Sequence, residues 1–211
     1  MGRSVRMIQL RCFRAFAAAS LFVVSGLPGN TWAQGAFYRA SDRELVGAPG
    51  TIIRQEPMMF APAGAAAYRV LYRSTGLHEE QVAVSGIIVV PPGPAPEGGR
   101  PIVAWAHPTT GIVPRCAPSL AIFHFQQLQG LRNMVERGYI VAATDYPGLG
   151  TVGPHPYLVG VSEGRAVLDS VRAARGIAGA GGTNRFGVWG HSQGGQAILY
   201  AGLLAESYTR N

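Results

Sequence analysis

The amino-acid sequence predicts an α/β fold, in which a mostly parallel sheet is flanked by helices. From residue 101 onward, short continuous apolar runs of strand length alternate with longer segments that have helical periodicity. Such alternation calls for right-handed crossovers between parallel strands. The chain has 211 residues, of which 47% are hydrophobic and 14% are charged. This composition is typical of a globular domain and too apolar for a disordered chain.

Residues 1–33 predict a secretory signal peptide. Four arginines precede the apolar run Ala15–Val24, and Thr31-Trp32-Ala33 supplies a cleavage site after Ala33. The alternative is a membrane anchor, but the run from Ala15 to Leu27 is shorter than the ~20 apolar residues that span a bilayer. We therefore expect a secreted protein, extracellular or periplasmic, in which residues 34–211 form the α/β domain.

The charge of the chain does not indicate a nucleic-acid partner. The net charge is +7, but the predicted signal peptide contains four arginines and no acidic residue, so residues 34–211 carry +3. No run of basic residues is interleaved with aromatic ones. We expect no nucleic-acid binding.

The cysteines give no indication of a metal site. Cys12 lies in the predicted signal peptide, so Cys116 is the one cysteine of the predicted mature domain. An odd cysteine in an exported protein indicates a free thiol, an intermolecular bridge, or a partner missing from this chain. The sequence contains neither a C-x-x-C nor an H-E-x-x-H motif, so we expect no metal site.

The N-terminal part of the predicted domain contributes an antiparallel pair of strands. Residues 34–62 are polar, interrupted by glycine and proline, and predict an irregular arm. From Ala67 to Thr75 aromatic and apolar side chains partly alternate with polar ones, which predicts a strand. Residues Gln81–Val90 predict a second strand, joined to the first by the turn Gly76–Glu80.

The remainder of the chain alternates between strands and helices. The strands are continuous apolar runs, as expected when both faces of a parallel sheet are covered. In order, the sequence predicts strand Pro101–Ala106, loop His107–Gly111, helix Ala121–Arg137, strand Tyr139–Asp145, a helix opened by Ser162, strand Arg185–Trp189, and a final helix ending near Glu206.

The pattern G-x-S-x-G, typical of a serine nucleophile at a sharp strand-to-helix turn, occurs twice. In Gly190–Gly194, an apolar strand precedes the motif and an apolar helix start follows it. In Gly160–Gly164, no such strand precedes the motif, and a serine that opens a helix is explained as an N-cap. The sequence therefore favours Ser192 as the nucleophile.

Chain order also permits a triad built on Ser162. Asp169 and His191 follow Ser162 in the order Ser, Asp, His. However, Asp169 lies about 10 Å away along the same predicted helix, too far for a triad partner. His191 would lie inside the other motif. We expect Ser162 to be structural.

Two loops are expected to supply oxyanion donors. The backbone N–H of Gln193 follows the nucleophile at the positive end of the final helix. The second donor in this arrangement comes from the loop after the first parallel strand, where Thr109 and Thr110 offer backbone N–H groups and Pro108 offers none.

Four motifs in the same order resemble the secretory lipase family of α/β-hydrolases, and the similarity covers the chain from Gly50 to Glu206. The resemblance implies the α/β-hydrolase fold and carboxylic ester hydrolysis through an acyl-enzyme, with Ser192 as nucleophile and Gln193 and Thr110 as oxyanion donors. It implies a small-molecule ester or lipid substrate, suggests contact with a lipid interface, and requires no cofactor. Pro108 stands where the family pattern leads us to expect glycine. The motifs are Ala104–Gly111, Cys116–Ser119, Thr144–Gly150 and Trp189–Gly195.

The catalytic acid and base are not found where the fold would place them. Triad order is Ser, Asp or Glu, then His, yet the 19 residues after Ser192 contain neither Asp nor His. The resemblance implies that these residues, and a disulfide partner for Cys116, lie further along a longer chain. We therefore expect this chain to be the N-terminal part of a lipase, inactive or nearly so alone. Asp145, at the end of its strand, is expected to accept hydrogen bonds that orient a loop, and not to be the triad acid. The histidines His107, His124, His155 and His191 are expected to be structural or solvent-facing.

Two rival functions follow from the same residues. A serine peptidase or deacetylase could use the same fold, and a catalytically inactive remnant or binding module would explain the missing base. If the sheet ends with the predicted strand Arg185–Trp189, the outer edge of that strand is apolar and unpaired. This predicts poor solubility for residues 34–211 expressed alone. The oligomeric state is not predicted.

Overall fold

The computed structural model describes residues 35–209, so the predicted signal peptide lies outside the described residues. In this part of the chain six strands form one sheet in the order β1-β2-β3-β5-β4-β6. The strands are β1 (Ile52–Met58), β2 (Ala66–Thr75), β3 (Gln81–Val90), β4 (Arg100–Ala106), β5 (Ile140–Thr144) and β6 (Gly182–Gly190).

The sheet is mixed, and its parallel half carries the loops of interest. Strands β1, β2, β3 and β5 pair antiparallel in succession, whereas β5, β4 and β6 are parallel. Ala106 at the end of β4 is paired with Gly190 at the end of β6. Because parallel strands end at the same edge of a sheet, the loops after β4 and β6 begin side by side. The predicted α/β fold is confirmed.

Helices cover both faces of the sheet. Helices α4 and α5 pack on one face over a core that includes Ile102, Ala104 and Ile140, and the second cluster on the other face joins Trp105 and Val141 to α3. The helices are α1 (Asp42–Leu45), α2 (His124–Gln127), α3 (Leu131–Glu136), α4 (Gly160–Arg175) and α5 (Gln193–Tyr208). None of these described helices has the length and hydropathy needed to cross a bilayer.

Two predictions of elements were wrong. The predicted irregular arm contains β1, which pairs with β2 and whose side chains are intermediate or exposed, so it lacks the apolar pattern of a buried strand. The single predicted helix Ala121–Arg137 is two short helices. Gly130 has a φ of 76° between them, and this left-handed conformation interrupts the helix despite the periodic apolar residues.

Ser162 was also predicted wrongly as an N-cap. Helix α4 begins at Gly160 after Val159, and Ser162 is its third residue and is 1% exposed. The helix start is stabilised by another side chain, because Glu163 Oε1 accepts the backbone N–H of Leu158 at 3.0 Å. Serine favours the N-cap position but does not determine it.

Candidate active site

Ser192 occupies a sharp turn between a strand and a helix. Strand β6 ends at Gly190, α5 begins at Gln193, and Ser192 between them has φ 54° and ψ −117°. A non-glycine residue in this conformation is strained, and such strain clusters at functional sites. The serine is exposed. This backbone is the one that a nucleophile elbow requires.

The glycines of the turn are needed because backbone passes very close to them. A Cβ on Gly190 would lie 2.2 Å from the carbonyl oxygen of Gly194. A Cβ on Gly194 would lie 2.0 Å from the carbonyl oxygen of Ala106, at the end of β4. Neither neighbour is a side chain that could rotate away. The turn is therefore held tightly against the adjacent strand.

The predicted oxyanion donors lie on neighbouring loops at the same sheet edge. The N–H of Gln193 is the first of α5, and neither it nor the N–H groups of Thr109 and Thr110 has a hydrogen-bond partner within residues 35–209. The Oγ1 of Thr109 lies 3.0 Å from the hydroxyl of Tyr157, which ties this loop to the segment before α4. The three N–H groups are thus available to an anion, and their role as donors stays a prediction.

A buried polar network that the sequence did not reveal holds the side chain of Gln193. Its amide nitrogen donates to Glu163 Oε1 at 2.6 Å and to His155 Nε2 at 3.0 Å. The Nδ1–H of His155 donates to the carbonyl oxygen of Pro147 at 2.9 Å, which leaves Nε2 as the acceptor. The side chains of His155 and Glu163 are fully buried. The residue after Ser192 is therefore fixed from α4 and from the loop after β5.

Burial sets the charge state of this network. It raises the pKa of the Glu163 carboxyl above its ordinary value, and it lowers the pKa of the His155 imidazole. Both shifts favour the neutral forms, since ionised groups lose hydration when they are buried. His155 and Glu163, whose Nε2 and Oε1 atoms are 3.9 Å apart, are therefore joined through the Gln193 amide rather than by an ion pair.

Asp145 orients loops, as the sequence predicts. It accepts hydrogen bonds from the hydroxyl of Ser85 at 2.7 Å and from the backbone N–H of Ser119 at 2.9 Å, and the Ser119 hydroxyl donates to it as well. Burial raises the pKa of this carboxyl. Its oxygens are occupied by these donors, so Asp145 anchors the segment around Ser119 to the end of β5.

No histidine side chain donates to or accepts from Ser192 within the described part of the chain. His107 is buried, with Nδ1 2.6 Å from the carbonyl oxygen of Pro108, and burial lowers the pKa of its imidazole. His191 is exposed beside the serine. His155 is bound in the Gln193 network. The structure therefore brings together the predicted nucleophile and the loops of the predicted oxyanion donors, without a base bound to Ser192.

The second G-x-S-x-G motif does not form a site. Ser162 is buried in α4, and its hydroxyl has no hydrogen-bond partner among the described residues. Asp169 is buried too, and it accepts hydrogen bonds from Ser74 at 2.7 Å and from Tyr208 at 2.8 Å. The rejection of a triad built on Ser162 is thus supported by burial as well as by distance.

Neither a cluster of metal-ligating side chains nor a disulfide is present in the part of the chain that the structure describes. Within residues 35–209 no cluster of three His, Cys, Asp or Glu side chains could hold a metal ion. Cys116 is a half-buried free thiol in this part of the chain. Its Sγ lies close to Gly111, where an added Cβ would be 2.4 Å from the sulfur.

Comparison of the sequence with known proteins points to lipases. The model of the secretory lipase family matches residues 124–211. A protein of Mycobacterium tuberculosis (strain CDC 1551 / Oshkosh) named probable inactive lipase MT1628 is 27% identical in an alignment of 176 residues that covers 76% of this chain and 39% of the relative. Lipase A of Moesziomyces aphidis is 26% identical in an alignment of 160 residues that covers 68% of this chain and 32% of that protein. The chain thus spans about two fifths or less of the length of these relatives.

Comparison of the structure gives the same fold. Candida antarctica lipase A superposes with a TM-score of 0.69 at 23% identity, over 83% of this chain and 43% of that one. The rice cell wall degrading esterase LipA of Xanthomonas oryzae superposes with a TM-score of 0.65 at 23% identity, over 78% of this chain and 48% of that one. At this level of identity the likeness establishes the fold alone. With the family match at residues 124–211, it confirms the predicted resemblance to the secretory lipase family of α/β-hydrolases.

Proposed function

We propose that this chain carries the nucleophile and the oxyanion donors of a secreted carboxylic ester hydrolase that acts on acylglycerols or short esters. The observation that carries the proposal is the backbone of Ser192, an exposed serine at φ 54° between β6 and α5. A serine held in this way presents its hydroxyl at the top of the sheet. The relatives named as lipases support the substrate class.

The reaction begins at the hydroxyl of Ser192. Its oxygen attacks the ester carbonyl while a base takes the proton, and the carbonyl oxygen becomes an oxyanion. The backbone N–H groups of Gln193 and of Thr109 or Thr110 donate to that oxyanion, and the N-terminus of α5 adds a partial positive charge. The bond to the alcohol then breaks and the alcohol leaves with a proton. Water hydrolyses the acyl-enzyme, which releases the acid and restores the serine.

The buried network around Gln193 supports this role for its backbone. A donor contributes most when it is already oriented before the charge develops. The Gln193 amide is held by Glu163 and His155, both of which are buried. The side chain of Gln193 therefore cannot turn without breaking two buried hydrogen bonds, and this restricts the adjacent N–H as well.

Among the described residues, no side chain is in place to accept the proton of the Ser192 hydroxyl. We therefore test the nucleophile with imidazole, which can act as an added base in solution. Imidazole hydrolyses p-nitrophenyl esters by itself, so the rate without protein is subtracted at each concentration. The remaining hydrolysis by the full chain should rise with imidazole concentration to at least about 100-fold above that of a Ser192→Ala variant, the scale of general base catalysis. Ser162→Ala is the matched control and should retain the full rate.

Equal rates for the wild-type protein and Ser192→Ala would contradict the proposal. If wild-type protein and Ser192→Ala hydrolyse the ester at the same rate at every imidazole concentration, Ser192 is not a nucleophile. A cooperative melting transition for each variant ensures that the comparison is made between folded proteins.

The second candidate is a catalytically inactive member of the family. It is favoured by the name of the mycobacterial relative and by the lack of a histidine bound to Ser192 among residues 35–209. This candidate predicts no hydrolysis above the rate of imidazole alone at any imidazole concentration. A serine peptidase or deacetylase would instead cleave amides, so an anilide substrate assayed in parallel separates that class.

Secretion and contact with lipid complete the proposal. The family is named secretory, and a relative from Malassezia globosa is named a secreted triacylglycerol lipase. Loops of the described chain expose apolar side chains, including Ile112, Ile122, Phe123 and Val152, which are 62–87% exposed. Exposed apolar side chains of this kind favour adsorption to a lipid surface.

A further inference from the structure

A cavity of about 280 Å³ lies under the loop that carries Thr109 and Thr110. Apolar side chains, among them Ile87, Leu128 and Ala143, form its walls, and Thr110 also lines it. Ile87, Leu128 and Ala143 belong to the core on the face opposite α4 and α5. The cavity is therefore separate from the polar network around Gln193.

Two buried ring nitrogens of the lining residues have no hydrogen-bond partner. Trp105 is 3% exposed and His124 is 9% exposed, and both line the cavity. The indole Nε1 of Trp105 and the imidazole Nε2 of His124 are both buried without a partner in the described chain. A buried polar group left without a partner destabilises the folded protein, so each nitrogen favours a ligand that would satisfy it.

The chemistry of these two nitrogens is fixed by their surroundings. An indole N–H is a donor only. The Nδ1 of His124 lies 2.6 Å from the carbonyl oxygen of Ala121, which can only accept, so the proton is on Nδ1. With its proton on Nδ1, an uncharged imidazole offers Nε2 as an acceptor. The cavity thus offers one free donor and one free acceptor.

Two other buried polar side chains of the wall are already occupied, whereas Thr110 and Gln127, which also line the cavity, are exposed. Asp145 accepts from Ser85 and Ser119, and Thr144 accepts the hydroxyl proton of Tyr72 at 2.7 Å. No Lys or Arg side chain lines the cavity, so an anionic ligand would be buried without a counter-charge. These features favour an uncharged ligand.

We propose that this cavity binds a small neutral alcohol with a compact apolar body. Its hydroxyl oxygen accepts the Trp105 indole N–H, and its hydroxyl proton is donated to His124 Nε2. The apolar body fills the space between Ile87, Leu128 and Ala143. A cavity of 150 Å³ with apolar walls is enough to hold benzene, so this one has room for a ring and a hydroxymethyl group.

Water alone is a poor occupant of such a cavity. Each buried water needs two to four polar partners, and a water molecule takes about 30 Å³ of liquid volume, so several would have to share two free ring nitrogens. An alcohol satisfies the same two nitrogens and also covers the apolar wall. Removing that apolar surface from water is favourable.

The test compares benzyl alcohol with toluene, which has a similar ring and no hydroxyl. Binding of each probe to the full chain is measured by ligand-observed NMR titration. In an apolar cavity toluene binds more tightly, because a hydroxyl buried without partners loses its hydration. Here benzyl alcohol should bind at least as tightly as toluene. In Trp105→Phe and in His124→Leu, the ratio of its Kd to that of toluene should rise about tenfold, which corresponds to the loss of one hydrogen bond of about 1.4 kcal/mol.

Trp189→Phe is the matched control. Trp189 stacks on Trp105 with ring centroids 5.3 Å apart, but it does not line the cavity, so the preference for benzyl alcohol should remain. The proposal is overturned if neither probe binds saturably, if toluene is preferred by the wild-type protein, or if the control variant loses the preference as fully as Trp105→Phe does. Binding needs no turnover, so this result is independent of ester hydrolysis.

Discussion

The two G-x-S-x-G motifs have the same spacing and opposite environments. In Gly190–Gly194 the serine is exposed at a strained turn between a strand and a helix. In Gly160–Gly164 the serine is buried in the first turn of α4. Both pairs of glycines permit a close approach, but the neighbours differ. A Cβ on Gly194 would meet a backbone carbonyl of β4, whereas a Cβ on Gly160 would meet the ring of Tyr200 in α5.

This difference shows what the spacing does and does not specify. Glycines four residues apart lie on one face of a helix, where they let a second helix pack closely. The same spacing across a strand-to-helix turn removes side chains from a crowded backbone. The motif therefore marks a place of close packing, and the strand before it decides whether the serine is presented to solvent.

The largest expected effect comes from replacing Gly194, at the turn that carries Ser192, with alanine. In Gly194→Ala the new Cβ would lie 2.0 Å from the carbonyl oxygen of Ala106, and backbone cannot rotate away. We expect a loss of about 3 kcal/mol in the free energy of unfolding. Urea denaturation measures it. Gly195→Ala is the control, since its nearest neighbour would be 3.8 Å away, and it should be neutral or stabilising by up to about 1 kcal/mol. Equal stability of the two variants would contradict the tight turn.

A smaller loss is expected at the helix-packing motif. In Gly160→Ala the new Cβ would meet the Tyr200 ring at 2.1 Å, and this side chain can move, so we expect a loss of about 1–2 kcal/mol in the free energy of unfolding. Tyr200→Leu should recover part of that loss in the double variant, and it should recover none in Gly194→Ala. Strict additivity of Gly160→Ala and Tyr200→Leu would show that these residues do not contact each other.

Glu163, inside the motif Gly160–Gly164, is expected to make the stability of the protein depend on pH. Because burial raises the pKa of this carboxyl in the folded protein, the folded chain keeps a proton that the unfolded chain releases above the ordinary pKa of 4.5. The free energy of unfolding therefore falls as the pH rises from that value through the raised pKa. Glu163→Gln should reduce this fall, whereas Glu136→Gln, at an exposed position of α3, should follow the wild type. Thermal melting across pH 4–8 measures both, and parallel curves for Glu163→Gln and wild type would contradict the buried carboxyl.

The smallest effect is expected at Ser162. Its buried hydroxyl has no partner in the described chain, so Ser162→Ala removes an unsatisfied group and should be neutral or stabilising by up to about 1 kcal/mol. Ser85→Ala is the matched control. Its hydroxyl donates to Asp145 at 2.7 Å, and its loss should cost about 1–3 kcal/mol. A loss for Ser162→Ala as large as that for Ser85→Ala, measured by urea denaturation, would mean that the Ser162 hydroxyl does have a partner.

Local signals in the sequence accounted for most of the fold. Strands β2, β3, β4 and β5 follow from alternating or continuous apolar runs, and each lies within about two residues of its predicted bounds. Strand β1 was missed because an edge strand with Arg54 and Glu56 has no buried face to pattern it. The predicted helix before β5 was broken by the left-handed Gly130, a conformation that apolar periodicity does not encode.

In the candidate site, too, residues next to a predicted strand could be located from the sequence, and residues joined by long-range packing could not. Ser192, Gln193 and the Thr109–Thr110 loop could be predicted because each lies directly after a recognisable strand. His155 and Glu163 could not, because they meet Gln193 from 38 and 30 residues away and no local pattern joins them. The Trp105–His124 cavity likewise depends on two side chains brought together by packing of the sheet against α2.

The central claim is that Ser192, and not Ser162, is the nucleophile. The most direct measurement treats the full chain with a fluorophosphonate in the presence of imidazole and maps the adduct by mass spectrometry. We predict an adduct on Ser192 that disappears in Ser192→Ala and persists unchanged in Ser162→Ala. An unlabelled wild-type chain, or an adduct that survives Ser192→Ala, would contradict the account.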